Sequence, residues 1–237
     1  MKRWLTASIL ILMVFMLAGC LYPNDRLQQN QISTGEYLIV VQNAVETYKQ
    51  RTGVLPIKNS TEQTPIYEKY LIDFKKLIDY NVISHIPADA YEAGGMNYYV
   101  VVDPEGEMKV KLMDLIIAGK ISELQRLTES YVAAGNALPL GQSVKPNFYQ
   151  LDFESLGIKS EQVRSVYSDM YLPILIHQSG HIAVDYAPEV MRAITMKDIT
   201  EPDPKTDLRT YLVEQSNYIP VDSYPYYWKD NEPVISE

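Results

Sequence analysis

The chain has one cysteine, Cys20, among 237 residues, with only four phenylalanines and three histidines. A single thiol excludes a disulfide within the chain and any CxxC metal or redox site. No apolar run reaches the roughly 20 residues that a membrane-spanning helix needs. The longest, Leu5–Leu17, has 13 residues and includes Thr6 and Ser8. Excess positive charge is also lacking: 30 acids against 21 lysines and arginines give a formal charge of −9. Nucleic acid, which is bound by clustered basic residues, is therefore not an expected partner. There is no Walker A sequence, no G-x-G-x-x-G and no G-x-S-x-G, so none of the common phosphate-cradle, dinucleotide or nucleophile-elbow chemistries is written here.

The cysteine that is present follows the apolar run directly. Lys2 and Arg3 make a basic start, Leu5–Leu17 has the length of a signal-peptide core, and Leu17-Ala18-Gly19-Cys20 closes it. This order resembles the lipobox of bacterial lipoproteins. The resemblance implies a diacylglyceryl thioether on Cys20 and cleavage before it, so residues 1–19 are the expected signal peptide. Losing Lys2 and Arg3 with no acid would take the charge to −11. The mature chain is then expected on the extracytoplasmic face of the cell membrane, held by acyl chains such as palmitate rather than by a basic surface. Two or three chains anchor durably where one does so only marginally. The whole chain also resembles the poorly characterised envelope lipoproteins of spore-forming Gram-positive bacteria, a likeness that supplies no site.

Residues 20–34, the lipidated cysteine and a Gln/Asn-rich stretch, read as a flexible tether. Beyond it the pattern predicts an α+β fold of two tandem helix/β-hairpin units, at 35–118 and 119–199. The first reads as a helix over 37–50, then "TGVLP", "YLIDFKKL" and strands over 97–103 and 107–112. The second reads as a helix over 122–133, then "GNALP", "YQLDFESL" and strands over 171–177 and 181–186. The Leu-Pro pairs lie 83 residues apart, the Asp-Phe pairs 79 and the turn glycines Gly106 and Gly180 74. Such spacing points to duplication of one unit with shortened loops. Asp73 and Asp152 are expected to cap short helices, and Gly106 and Gly180 to take positive φ in the hairpin turns. Residues 200–237 read as a linker and a Tyr-rich cap, in which Ile219-Pro220-x-Asp222-x-Tyr224 repeats Ile86-Pro87-x-Asp89-x-Tyr91. The order of helix, G-x-LP and Tyr-rich hairpin is faintly similar to the head of type II secretion pseudopilins, with no diagnostic motif complete and no function implied.

Two sets of residues are candidates for a site. His177 and His181 flank a three-residue turn, where two imidazoles could share a metal ion with Asp185 nearby. The corresponding turn of the first unit carries Asp103 and Glu107, so polar shoulders suffice as an explanation. Ser179, in the same turn, is poorly placed as a nucleophile. The second set is aromatic: Tyr218, Tyr224, Tyr226, Tyr227 and Trp228 could stack on sugar rings or a partner protein, or else cover the core edge. No cofactor is expected beyond the lipid on Cys20. The resulting expectation is a non-enzymatic binding protein of the envelope, its partner an envelope protein or cell-wall glycan. The alternatives are a small-ligand-binding, transport-associated lipoprotein and a metal-dependent enzyme using His177 and His181.

Overall fold

The computed structural model describes residues 28–62 and 64–237, with side chains from Thr34 onward. The signal sequence and Cys20 lie outside the described residues. Among the described residues no helix is long and apolar enough to cross a membrane. Helix α1 spans Gln28–Thr52, so the tether expected over 20–34 is helical from Gln28. Glutamines are good helix formers, and a helix already nucleated further along extends at little cost.

The remaining architecture is α+β. Helix α2 (Phe74–Asp79) precedes the hairpin β1 (Asn97–Val102) and β2 (Lys109–Asp114). Helix α3 (Leu115–Ala133) follows at once. Then come β3 (Leu140–Lys145), β4 (Phe148–Leu151), β5 (Val163–Arg164), β6 (Tyr171–Leu172), β7 (Ile174–His177) and β8 (Ile182–Val184). Helices α4 (Ala187–Met196) and α5 (Arg209–Gln215) lead to a last hairpin, β9 (Tyr226–Lys229) and β10 (Glu232–Ile235). Residues 38–237 form one compact unit, with a core drawn from both repeats and the C-terminal region, including Val100, Leu124, Phe148, Leu175, Tyr186, Leu212 and Tyr226.

The repeat expected from sequence is a repeat of hydrogen bonds. The Asp73 amide donates to the Pro56 carbonyl (2.7 Å), and the Asp152 amide to the Pro139 carbonyl (3.0 Å). Ile57 pairs with Ile72 as Leu140 pairs with Leu151. Leu71 pairs with Val100 as Gln150 pairs with Leu175. Val101 pairs with Val110 as Ile176 pairs with Ile182. The helices are fastened to the hairpins identically. Gln42 accepts from the Val110 amide (2.7 Å) and donates to the Met108 carbonyl (3.0 Å). Gln125 accepts from the Ile182 amide (2.8 Å) and donates to the Gly180 carbonyl (3.2 Å). Each glutamine also donates to a glutamate one turn on, Glu46 or Glu129.

Those glutamines make a testable pair. Val110 and Ile182 are buried, so Gln42→Leu and Gln125→Leu each leave a buried amide without its acceptor. Each substitution should cost about 1–3 kcal/mol, by similar amounts in the two units. Urea unfolding of the two variants measures this; a cost in one only would mean that the matching bonds do not carry matching stability.

Several boundaries differ from the sequence reading. Helix α3 begins at Leu115, not residue 122, because the Asp114 carboxylate accepts the Ile116 and Ile117 amides (2.9 and 2.8 Å) and opens the helix there. The unit boundary expected at 118 therefore falls inside α3. Asp73 caps α2 as expected, accepting the Lys75 amide. Asp152 instead holds a single turn, binding the Ser155 amide and hydroxyl; Gly157, at φ 70°, ends it. Gly180 has positive φ (89°), but in the first hairpin Asp103 (48°), not Gly106, takes that role. Gly106 makes room instead for the Asp103 carboxylate, which binds the Gly106 and Glu107 amides; a Cβ there would lie 2.3 Å from it and would displace it.

The second unit and the C-terminal cap are packed together. Helix α4 packs on α5 and on β10. Asp207 accepts the Arg209 amide as Asp73 accepts that of Lys75, and buried Leu208 stands where Phe74 stands.

Candidate functional site

At the β7–β8 turn, His177 is buried and wedged between Phe148 (5.0 Å between ring centroids) and Tyr224 (5.5 Å). Its Nδ1 lies 2.8 Å from Ser179 Oγ and its Nε2 2.9 Å from Glu237 Oε1. The carboxylate can only accept, so Nε2 carries a proton. Nδ1 also receives the Ser179 amide (3.2 Å). Asn147 donates to the same Glu237 oxygen (2.6 Å), and these bonds hold the Glu237 carboxyl below its ordinary range.

Hydroxyl, imidazole and carboxylate thus form a chain, yet the amides nearest Ser179 are already engaged. The Ser179 amide is on His177 Nδ1 and the Gly180 amide on the His177 carbonyl (2.8 Å). A nucleophile here would lack those donors for a developing oxyanion. The chain braces the turn.

His181 is exposed and packs edge-on against Tyr224 (5.5 Å). Partial desolvation of its ring, then the neighbouring His177, lower its pKa. The two histidines therefore do share one aromatic neighbour, but both nitrogens of His177 are in hydrogen bonds. Asp185, the third expected ligand, accepts instead from the Tyr226 hydroxyl (2.9 Å) and the Ala187 amide (3.0 Å). Among the described residues no group of three His, Cys, Asp or Glu side chains is placed to hold a metal ion.

The aromatic strip is divided between the two faces of its strand. Tyr226 is fully buried, its hydroxyl donating to Asp185 and accepting the Tyr186 amide (2.8 Å). Tyr224 and Trp228 pack against the core, and Tyr227 points the other way, opposite Val234. Tyr218 is bridged to Leu112. Alternation along β9 turns Tyr227 away from Tyr226 and Trp228, and Tyr218 lies apart beside Leu112, so the five rings do not form one platform. The cluster covers the core edge.

A concave feature lies elsewhere, in the first unit. A shallow groove of about 330 Å³ runs between α2 and residues 86–92, with Phe74, Ile78 and Ile86 as its apolar lining. Lys58, Asp73, Lys75, Asp79 and Glu92 form its charged rim. Lys58 pairs with Glu92 (2.6 Å) and sits over the Tyr98 ring (5.2 Å). Tyr91, 55% exposed, packs edge-on against Tyr98 at 4.9 Å. Nothing local marks this groove in the sequence, because its residues come from three separated segments. His85, near it, is exposed and bonded to Ser84 Oγ (2.9 Å).

Two buried charge clusters also escaped the sequence reading. Glu189, fully buried, takes the hydroxyls of Ser165 and Ser168 and the Arg192 Nε (2.8 Å). Arg209 is clamped by Asp207, donates to the Ser223 carbonyl (2.7 Å) and lies over the Tyr67 ring (4.9 Å). Both clusters tie loops to helices.

Residues 34–114 match the YphF family N-terminal domain. No curated protein and no solved structure matches the chain. The match covers about a third of the sequence and stops at Asp114, the last residue of β2. Its range is thus the first helix/hairpin unit, groove included; the second unit lies beyond it.

Proposed function

We propose that the protein is a lipoprotein anchored through Cys20 on the extracytoplasmic face of the cell membrane, where its folded units act by binding rather than catalysis. The observation that carries this reading is the order of basic start, 13-residue apolar run and Leu17-Ala18-Gly19-Cys20. The engagement of His177, Glu189 and Arg209 in internal hydrogen bonds supports binding over catalysis. The partner is an envelope protein or cell-wall glycan, and the groove beside Tyr91 is the surface offered to it.

Cells fed an alkyne-bearing palmitate should label the wild-type chain and leave Cys20→Ala unlabelled. Equal labelling of both would remove the anchor. Cross-linking in intact cells should then recover a partner with the wild type and less of it with a Tyr91→Ala variant. Recovery unchanged by that substitution would move recognition away from the groove.

A second reading, a small-ligand carrier, is favoured by the groove's volume, at the lower end of the range for ligand sites. A ligand present at 100 times its Kd adds about 2.7 kcal/mol. A thermal-shift screen should find a compound that raises Tm in the wild type but not in Ile78→Glu. No rise with any compound would leave only the macromolecular partner.

A further inference from the structure

Segment 217–222 is bonded to the last strand of both units. The Leu112 amide donates to the Asn217 carbonyl (2.8 Å), and the Ile219 amide to the Leu112 carbonyl (2.9 Å). Across the other unit the Val184 amide donates to the Asp222 carbonyl (2.9 Å). Leu112 and Val184 hold equivalent places, each two residues beyond the matching Val110 and Ile182: Tyr99 pairs with Leu112 and Ile174 with Val184. The segment therefore lies on the outer edge of both hairpins and fastens one to the other.

The fastening ends at Asp222, whose main chain is held by the Glu68 carboxylate. The Asp222 amide donates to Glu68 Oε1 (2.8 Å), and Asp222 has a left-handed backbone, φ 50°. Tyr186 lies beside them, its hydroxyl donating to the Val221 carbonyl (3.2 Å) and its ring within the fields of Asp222, Asp114, Glu68 and Glu189. The nearby cation is Arg209, which is held by Asp207 and by the Ser223 carbonyl. It offsets Glu68 only in part: burial raises the Glu68 pKa against the pull of the Asp222 amide and of Arg209. Asp222 has no such offset. Burial first, and then the Glu68 charge, raise it to about 7.

We infer that the Glu68–Asp222 contact is an acid-closed latch, which fastens segment 217–222 across both hairpins when Asp222 is protonated and loosens it when both carboxyls are charged. The released segment uncovers the main-chain edges of β2 and β8. The direction follows from linkage. Asp222 binds its proton more tightly in the closed form than in a solvated open form, whose carboxyl titrates near 4. Closure is therefore fully supported below about pH 4, weakens by up to tenfold per pH unit as pH rises from about 4 to 7, and is level above that.

Amide hydrogen exchange of the full chain in detergent, corrected for intrinsic rates, tests this at several pH values from 4.5 to 7.5. The opening constant at Leu112, Val184, Ile219 and Asp222 should rise at least tenfold over that range, while that of Leu124 in α3 stays level. Asp222→Asn, which tolerates the left-handed backbone, should abolish the rise. Glu68→Gln should shrink it, and serves if the first variant does not fold. Constant protection at these amides, an equal rise at Leu124, or an undiminished rise in the variants would each overturn the latch.

Discussion

Replacing Gly95 with alanine should cost about 3 kcal/mol or more, enough to unfold a marginal domain. A Cβ at this position would stand 2.1 Å from the carbonyl carbon and oxygen of Asp89. Those are main-chain atoms, so no rotamer change relieves the overlap. The approach is built into the chain's course. The Gly95 amide donates to the Ala90 carbonyl (2.9 Å), and the Asn97 amide to the Asp89 carbonyl (3.1 Å), pressing the start of β1 onto residues 89–90. Displacing Asp89 also disturbs the core, because its Oδ1 accepts the hydroxyl of buried Tyr99 (2.7 Å), whose ring meets Phe74 edge-on at 5.3 Å. Gly94 is the control. It has φ 89° but nothing within 4 Å of a Cβ, so Gly94→Ala should cost only the left-handed penalty, about 1–2 kcal/mol. Urea unfolding of both variants reads the difference. Equal costs would mean that the backbone at 89–95 relaxes freely and the close approach is not a constraint.

The repeat was legible in sequence because the residues that set its spacing make the bonds that define it. Leu-Pro and Asp-Phe stand at offsets of 83 and 79, and the Pro56–Asp73 and Pro139–Asp152 bonds keep that frame. Gln42 and Gln125, also 83 apart, carried the same signal. Helix α1 was legible where it buries a stripe, Leu38, Val41, Val45 and Tyr48; the sequence QQNQ at its start offers no apolar spacing to read. Strand β3 left no alternation to read, since residues 140–144 are all exposed. The start of α3 was hidden because "LMDLIIAG" is apolar on both sides of its cap, Asp114. Site residues were less legible. The aromatic strip is contiguous in sequence, yet strand geometry sends its rings to different faces. Glu68 and Asp222 meet across 154 residues, a separation over which no local pattern operates.

Asp207→Ala should destabilise the protein by about 3–5 kcal/mol, more than removing its partner does. The Arg209 side chain is 7% exposed. Its Nε and Nη2 fork onto the Asp207 carboxylate (3.0 and 2.7 Å), its Nη1 reaches Ser223, and its face meets Tyr67. Truncating Asp207 leaves the guanidinium charged and buried without its hydrogen-bonded carboxylate, with the Ser223 carbonyl and hydroxyl, the Tyr67 ring and only the field of Glu68 to offset it. The same substitution removes the cap on the Arg209 amide (3.1 Å), worth about 1 kcal/mol. Arg209→Met instead removes the charge and keeps most of the buried volume, so it should cost less. Joining the two, Asp207→Leu with Arg209→Met, should recover much of the loss, because neither charge is then left alone. A double-mutant cycle in urea measures all three. The ordering matters more than the sizes. If Arg209→Met costs as much as Asp207→Ala, the cluster is held by what the arginine packs against, Tyr67 and the Ser223 loop, and the carboxylate merely caps α5. If Asp207→Ala is nearly silent, water reaches Arg209, and the C-terminal unit is joined to the rest by its apolar contacts and main-chain hydrogen bonds rather than by this ion pair.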